Sequence, residues 1–308
     1  MESSFIYRNY YAPFHDLVWW QIGLDKDTEP PEIESEQKFY LPYNKWFSKG
    51  ETVHVEAITL LPGEEPRLSK RSYKRFADLS SFTNLKYLSV PYEALAHMDL
   101  ASISPHLLHF HITTQSTGDV IDFSDPKARY QIPEWVMPKL KTLSLFVSPN
   151  KCSNFNPGLY PGLEWMDTDV SMDKSGAGIK YFSQNKSLKG IGLDSINSKK
   201  ALQYLRNNLM ALRFWSITSR LVNLDILEEF QNLRYLEIRN SLSKINCNIL
   251  SSLPNLEELE LIYNNELSNI ADLLKSDSLK RVRIVSRTTD IRQDLKAQFI
   301  EKFNYLEF

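Results

Sequence analysis

An apolar triplet spaced L-x-x-L-x-L recurs along the 308-residue chain, and a recurring spacing decides the fold before any local motif does. It reads Leu85/Leu88/Val90, Leu107/Phe110/Ile112, Leu140/Leu143/Leu145, Leu188/Ile191/Leu193, Leu212/Trp215/Ile217, Leu233/Leu236/Ile238, Leu256/Leu259/Leu261 and Leu279/Val282/Ile284. A degraded copy lies at Leu163/Met166/Thr168, a first one at Val55/Ile58/Leu60 and a closing one at Phe303/Leu306/Phe308. From Leu140 onward the starting positions are 23, 25, 24, 21, 23, 23 and 24 residues apart, a range that random apolar spacing does not hold. In a strand, alternate side chains share a face, so the second and third apolar sites point together and their neighbours point away. Units of this kind stack in parallel, because each alone cannot bury its apolar side.

This pattern resembles the leucine-rich repeat superfamily from about Val55 to Phe308. The resemblance implies an α/β solenoid, with a curved parallel sheet on the concave side and irregular helices and turns on the convex side. Residues 55–308 would form about ten to eleven repeats, behind an aromatic-rich N-terminal β cap at 1–54. In that cap, "SFIYRNYY" and "DLVWWQIGL" read as strands and the acidic "DKDTEPPEIESE" as a solvated loop. The family carries an Asn three positions past the last apolar site, and here only Asn264 occupies it. The turns should therefore differ from repeat to repeat. "SKKALQYLRNNLMAL" reads as helical, and "LSNIADLLKSDS" as a short helical turn with Asn269 as N-cap. Residues 114–137 form an insertion rich in turn residues and charge.

The residues between the apolar sites are the candidates for function, since they line the expected concave face. They include an aromatic row, Tyr87, Trp165, Phe214 and Tyr235, and an acidic cluster, Asp167, Asp169, Asp194, Glu237, Glu258 and Glu260. His109, His111, Arg239, Arg281 and Arg283 share that face, and Tyr263 follows in the turn after Leu261. Aromatic anchors beside steering carboxylates suit a protein partner with a basic surface.

Other chemistries fit less well. A net charge of −2 argues against a nucleic-acid binder that depends on a basic surface. His109 and His111 on one strand face would need a third converging ligand to hold a metal, and the Asp167/Asp169 pair lacks the rest of a cation loop. The glycines of "DKSGAG" and "KGIGLD" lack a phosphate-loop context. No hydrolase, zinc-protease or kinase signature appears. The expectation is a protein that is not an enzyme, takes no cofactor and is monomeric when unbound. Its two cysteines and the absence of a basic-then-apolar leader point to the cytoplasm. The leading reading is an inhibitor or immunity-type protein that sequesters a toxin or enzyme; the alternative is a scaffold or adaptor for a multi-protein complex.

Overall fold

The computed structural model describes residues 8, 10, 14, 16–24, 38–42, 45, 48–61, 76–113, 130–132, 134–145, 151–152, 155–170, 180, 185–197, 202–205, 208–286, 291–303 and 305–307. Contacts divide the chain into two compact units. The first comprises Tyr7–Phe146 with Lys151–Leu163; the second comprises Glu164–Phe308 with Met1–Ile6 and Val147–Asn150.

In the first unit the strands are β1 (Trp19–Gly23), β2 (Lys38–Leu41), β3 (Ala57–Leu61), β4 (Tyr87–Pro91), β5 (His109–Thr113) and β6 (Thr142–Leu145). They run in the order β2-β1-β3-β4-β5-β6, and each pairing is parallel. The register aligns Trp20, Ile58, Leu88, Phe110 and Leu143 in one apolar row. All five are buried, because parallel strands in register put every such side chain on one face.

Strand β1 falls in "DLVWWQIGL" as expected, but the strand after it follows the acidic stretch and takes the outer edge of the ladder. The chain then returns through the short helix α1 (Lys49–Thr52) to place β3 against β1. "SFIYRNYY" and the 114–137 insertion lie mostly outside the described residues.

In the second unit the strands are β7 (Trp165–Asp169), β8 (Gly190–Asp194), β9 (Ala211–Phe214), β10 (Tyr235–Arg239), β11 (Ile245–Asn246), β12 (Glu258–Asn264), β13 (Leu267–Ser268), β14 (Arg281–Ser286) and β15 (Tyr305–Glu307). The main ladder runs β7-β8-β9-β10-β12-β14-β15, again parallel, and β11 pairs with β13 beside it. Met166, Ile191, Leu212, Leu236, Leu259, Val282 and Leu306 align in its apolar row.

One repeat is set differently from the sequence expectation. Leu212 pairs with Ile191 and Leu236, and Phe214 with Leu193 and Ile238. The unit is thus Leu209/Leu212/Phe214, with all three buried, and Trp215 turns to the opposite face. Leu209 starts 21 residues after Leu188 and 24 before Leu233, so both phrases fit the period equally and only packing separates them.

The return segments are short. Three-ten turns span Leu202–Tyr204, Leu224–Glu229 and Ile270–Lys275, and the α-helices are α2 (Cys247–Ser251) and α3 (Gln293–Lys302). Where "SKKALQYLRNNLMAL" suggested a helix, the described residues hold one three-ten turn and then β9. Asn269 precedes its turn without capping it: the residue is left-handed (φ 56°) and its amide donates to Asn246 Oδ1 at 2.9 Å.

Asn264 does what the family position requires. Fully buried, it accepts from the Ser241 N–H and donates to the Ile238 carbonyl, each at 3.0 Å. Two residues past the last apolar site, Ser195, Asn240 and Tyr263 all adopt positive φ (55°, 47° and 56°), so the backbone bends alike just after β8 and β10 and near the end of β12, where the register shifts between Ile262 and Asn264. At the C-terminal end Phe299 and Phe303 are buried, and Lys302 donates to the Leu274 and Ser276 carbonyls.

Asn264→Ala leaves a buried backbone N–H and a buried carbonyl without partners, and should cost about 2–3 kcal/mol in urea unfolding. A loss no larger than a surface substitution would show that the Asn does not hold the turn.

Candidate protein-binding face

In each unit the face opposite the apolar rows carries the candidate residues. On the first unit this face is covered by its own chain. Phe14 and Leu17, just before β1, pack with Ala57 against Trp19, Tyr87 and Leu108. Tyr87 stacks on His109 with centroids 4.2 Å apart, Trp19 lies 4.4 Å from Tyr87, and Phe14 sits within 5.5 Å of both rings.

His109 is buried and its Nδ1 meets the Thr142 hydroxyl. Burial, reinforced by the neighbouring His111, holds its pKa well below the ordinary imidazole value. Burial likewise pushes the Tyr87 hydroxyl up to about 12. His111 is half-buried beside Ser89 Oγ at 3.3 Å. Among the described residues no group of three or more His, Cys, Asp or Glu side chains is placed to hold a metal ion.

On the second unit the face is a packed layer of its own. Strand β8 contributes Gly190 and Gly192, and their missing side chains make room for what β7 lays across them. A Cβ on Gly190 would stand 2.4 Å from the Trp165 ring, and one on Gly192 would stand 1.8 Å from Asp167 Oδ1. Trp165 is therefore fully buried, its indole N–H donating to Asp167 Oδ2 at 2.7 Å. Asp167 in turn reaches across β8 to Arg213 at 2.5 Å. The Arg213 guanidinium lies 5.4 Å from the Trp165 ring and 4.7 Å from Trp215, and Arg239 lies 4.5 Å from Trp215 on its other side in sequence. Aromatic and guanidinium groups alternate across three strands, a cation–π arrangement that also buries the arginine stems.

Next to this stack, the Tyr235 hydroxyl is buried and donates to Glu237, with Glu260 at 3.4 Å. Burial and the two carboxylates push its pKa well above the usual phenol value. Glu237 pairs with Arg239, Glu260 with Arg283 at 3.6 Å, and Glu258 with Arg281 at 3.6 Å. The Glu260 carboxyl is raised above the ordinary range by burial and then by Glu237, with Arg239 and Arg283 pulling it partly back.

These positions correct the sequence reading in two respects. Trp165, Phe214 and Tyr235 do not stand out as anchors: Phe214 belongs to the leucine core, and the other two are enclosed by their neighbours on the face. The acidic cluster is not a single-sign field, since Asp167, Glu237, Glu258 and Glu260 are interleaved with Arg213, Arg239, Arg281 and Arg283. Asp169 and Asp194 are half-buried and directly opposite each other on β7 and β8.

Among the described residues of the second unit the exposed large apolar side chains include Trp215 after β9 (38%), Leu242 after β10 (40%) and Tyr263 near the end of β12 (46%), while Leu221 and Ile300 are exposed in the return segments. Arg213 and Trp215 were missed because the β9 triplet was read three residues late. The Gly-x-Gly of β8 was the available signal, since a strand without side chains must be covered by large neighbours.

The repeat and the all-parallel ladders together make this a leucine-rich repeat fold. No protein-family model matches the chain, and no curated protein aligns with it. Similar solved structures include internalin C2 of Listeria monocytogenes, with 15% identity, a TM-score of 0.34, and 85% of this chain and 84% of that one covered. A leucine-rich repeat protein of Leptospira interrogans shares 13% identity at a TM-score of 0.36, covering 89% and 86%. TLR13, in its complex with ssRNA13, shares 12% identity at a TM-score of 0.40; 85% of this chain spans 34% of that one.

Two outcomes test the packed layer. Trp165→Ala should destabilise the protein by about 3 kcal/mol or more, as a core truncation does; an unchanged melting temperature would return Trp165 to the surface. For Glu260, the raised folded-state pKa means that the native protein holds more protons than the unfolded chain between the two pKa values, so stability falls as pH rises through that window. Glu260→Gln removes this loss. Relative to wild type, its melting temperature should be higher at pH 7 than at pH 4, and the opposite trend would contradict the assignment.

Proposed function

We propose that the chain is a non-enzymatic protein-binding solenoid that acts in the cytoplasm by sequestering one protein partner, as inhibitors and immunity-type proteins do. The observation that carries this reading is the exposure of Trp215, Leu242 and Tyr263 near the ends of three neighbouring strands. Large exposed aromatics set on a hydrogen-bonded ladder make good interface anchors, since little of their freedom remains to be lost on binding. On the first unit Phe14 and Leu17 already occupy the corresponding face, which favours the second unit as the one that binds the partner.

A cytoplasmic setting agrees with Cys152 and Cys247, both buried free thiols pushed up to about 12 by burial and so chemically quiet. Among the described residues no helix is long and apolar enough to cross a membrane. The unbound chain is taken as a monomer, with a toxin or enzyme as the sequestered protein.

The test starts from a partner that co-purifies from the source cells. Trp215→Ala should lower its affinity by about 2 kcal/mol while lowering the melting temperature of the chain far less than Trp165→Ala does. Adding the purified chain in equimolar amount should then abolish the partner's own activity. A partner that keeps full activity in the complex would replace sequestration by scaffolding.

A further inference from the structure

A cavity of about 650 Å³ lies within the first unit, lined by none of the ladder strands. One wall is the three-ten turn Tyr92–His97, by which the chain leaves β4. The other is the last part of the 114–137 insertion, from Gln131 to Trp135. The walls are joined to each other: the Gln131 N–H donates to the Tyr92 hydroxyl oxygen at 2.9 Å, and the Tyr92 ring meets Tyr130 edge-on at 5.4 Å. The second wall is also pinned to the chain that follows β6. Tyr130 bridges to Cys152, and the Met137 N–H donates to the Leu159 carbonyl at 2.8 Å. The space is thus formed before any ligand arrives, and its volume falls in the range of about 300–1,000 Å³ that small molecules occupy.

The lining has one sign of charge. Leu95 and Ile132 are buried and supply its apolar part, and Trp135 is half-buried beside them. Glu93 and Glu134 are the charged groups, and among the described residues no lysine, arginine or histidine lines the space. The Glu93 carboxylate is enclosed and already engaged within the chain. Glu134 is exposed and forms no ion pair among the described residues, so its charge is the one open to a ligand.

We propose that this cavity binds a small organic cation, an ammonium group carried on an apolar or aromatic body. Charge complementarity selects the occupant. An anion would meet Glu134 with no positive group in the lining to offset it, and an uncharged molecule would gain nothing from the carboxylate. An ammonium ion is drawn both to Glu134 and to the indole of Trp135, the best of the aromatic rings for holding a cation. The apolar body of the ligand then covers Leu95 and Ile132. This site stands apart from the protein-binding surface of the second unit and does not depend on it.

Saturation-transfer NMR titrations with phenethylammonium, uncharged phenethyl alcohol and anionic hydrocinnamate test the assignment on the whole chain. The ammonium compound should bind with a millimolar or lower dissociation constant, and the other two at least about tenfold more weakly. Trp135→Ala should weaken the ammonium compound roughly tenfold. Glu134→Gln should weaken it about three- to fivefold and abolish the loss of affinity that added salt causes in the wild type. Ala96→Trp, at an exposed position on the cavity wall, should fill the space and remove binding without touching the core. Absence of phenethylammonium binding at millimolar concentration, equal binding of the alcohol or the acid, or unchanged affinity in either Glu134→Gln or Ala96→Trp would each overturn the proposal.

Discussion

Parallel pairing in register is the constraint on which everything else in this protein depends. Each strand must give its alternate side chains to the same face as its neighbours, so one apolar residue in two is enough to build a continuous core. Met166, Ile191, Leu212, Leu236, Leu259 and Val282 show the consequence in the second unit. The same constraint fixes what lies opposite. A residue next to a core site has no choice of side, and the composition of the opposite face is therefore a by-product of the register.

That opposite face is less open than an exposed sheet. In the first unit residues from before β1 lie on it, with Phe14 against Tyr87 and His109. In the second, the glycines of β8 admit the Trp165 ring and the Asp167 carboxylate, and Arg213 closes over them. Both arrangements remove large aromatics from water and leave charged groups paired. Buried ion pairs of this kind are costly to break from one side, which makes Arg213 and Asp167 structural as much as electrostatic. Among the described residues, Trp215, Leu242 and Tyr263 stay accessible near the strand ends, close to the positive-φ bends at Asn240 and Tyr263.

The fold was legible because the repeat records it many times over, and errors in single units average out. Asn264 was legible for the same reason, as a residue type with a defined task at a defined position. The site was less so. A triplet that fits at both Leu209 and Leu212 is decided by which leucine aligns with Ile191 and Leu236, a long-range fact absent from local spacing. Burial of Trp165 depends on two glycines some 25 residues away, and neutralisation of the carboxylates on arginines from other repeats. Alternation shows which side a residue faces; it does not show what a neighbour lays across it.

Hydroxyl-radical footprinting read by mass spectrometry tests the central claim most directly, because it reports the accessibility of each aromatic in one experiment. Trp215 and Tyr263 should oxidise rapidly, with Trp165 and Tyr235 protected until the protein unfolds. Oxidation of Trp165 and Tyr235 at the rate of Trp215, or protection of Trp215 alone, would contradict both the β9 register and the packed face built on it.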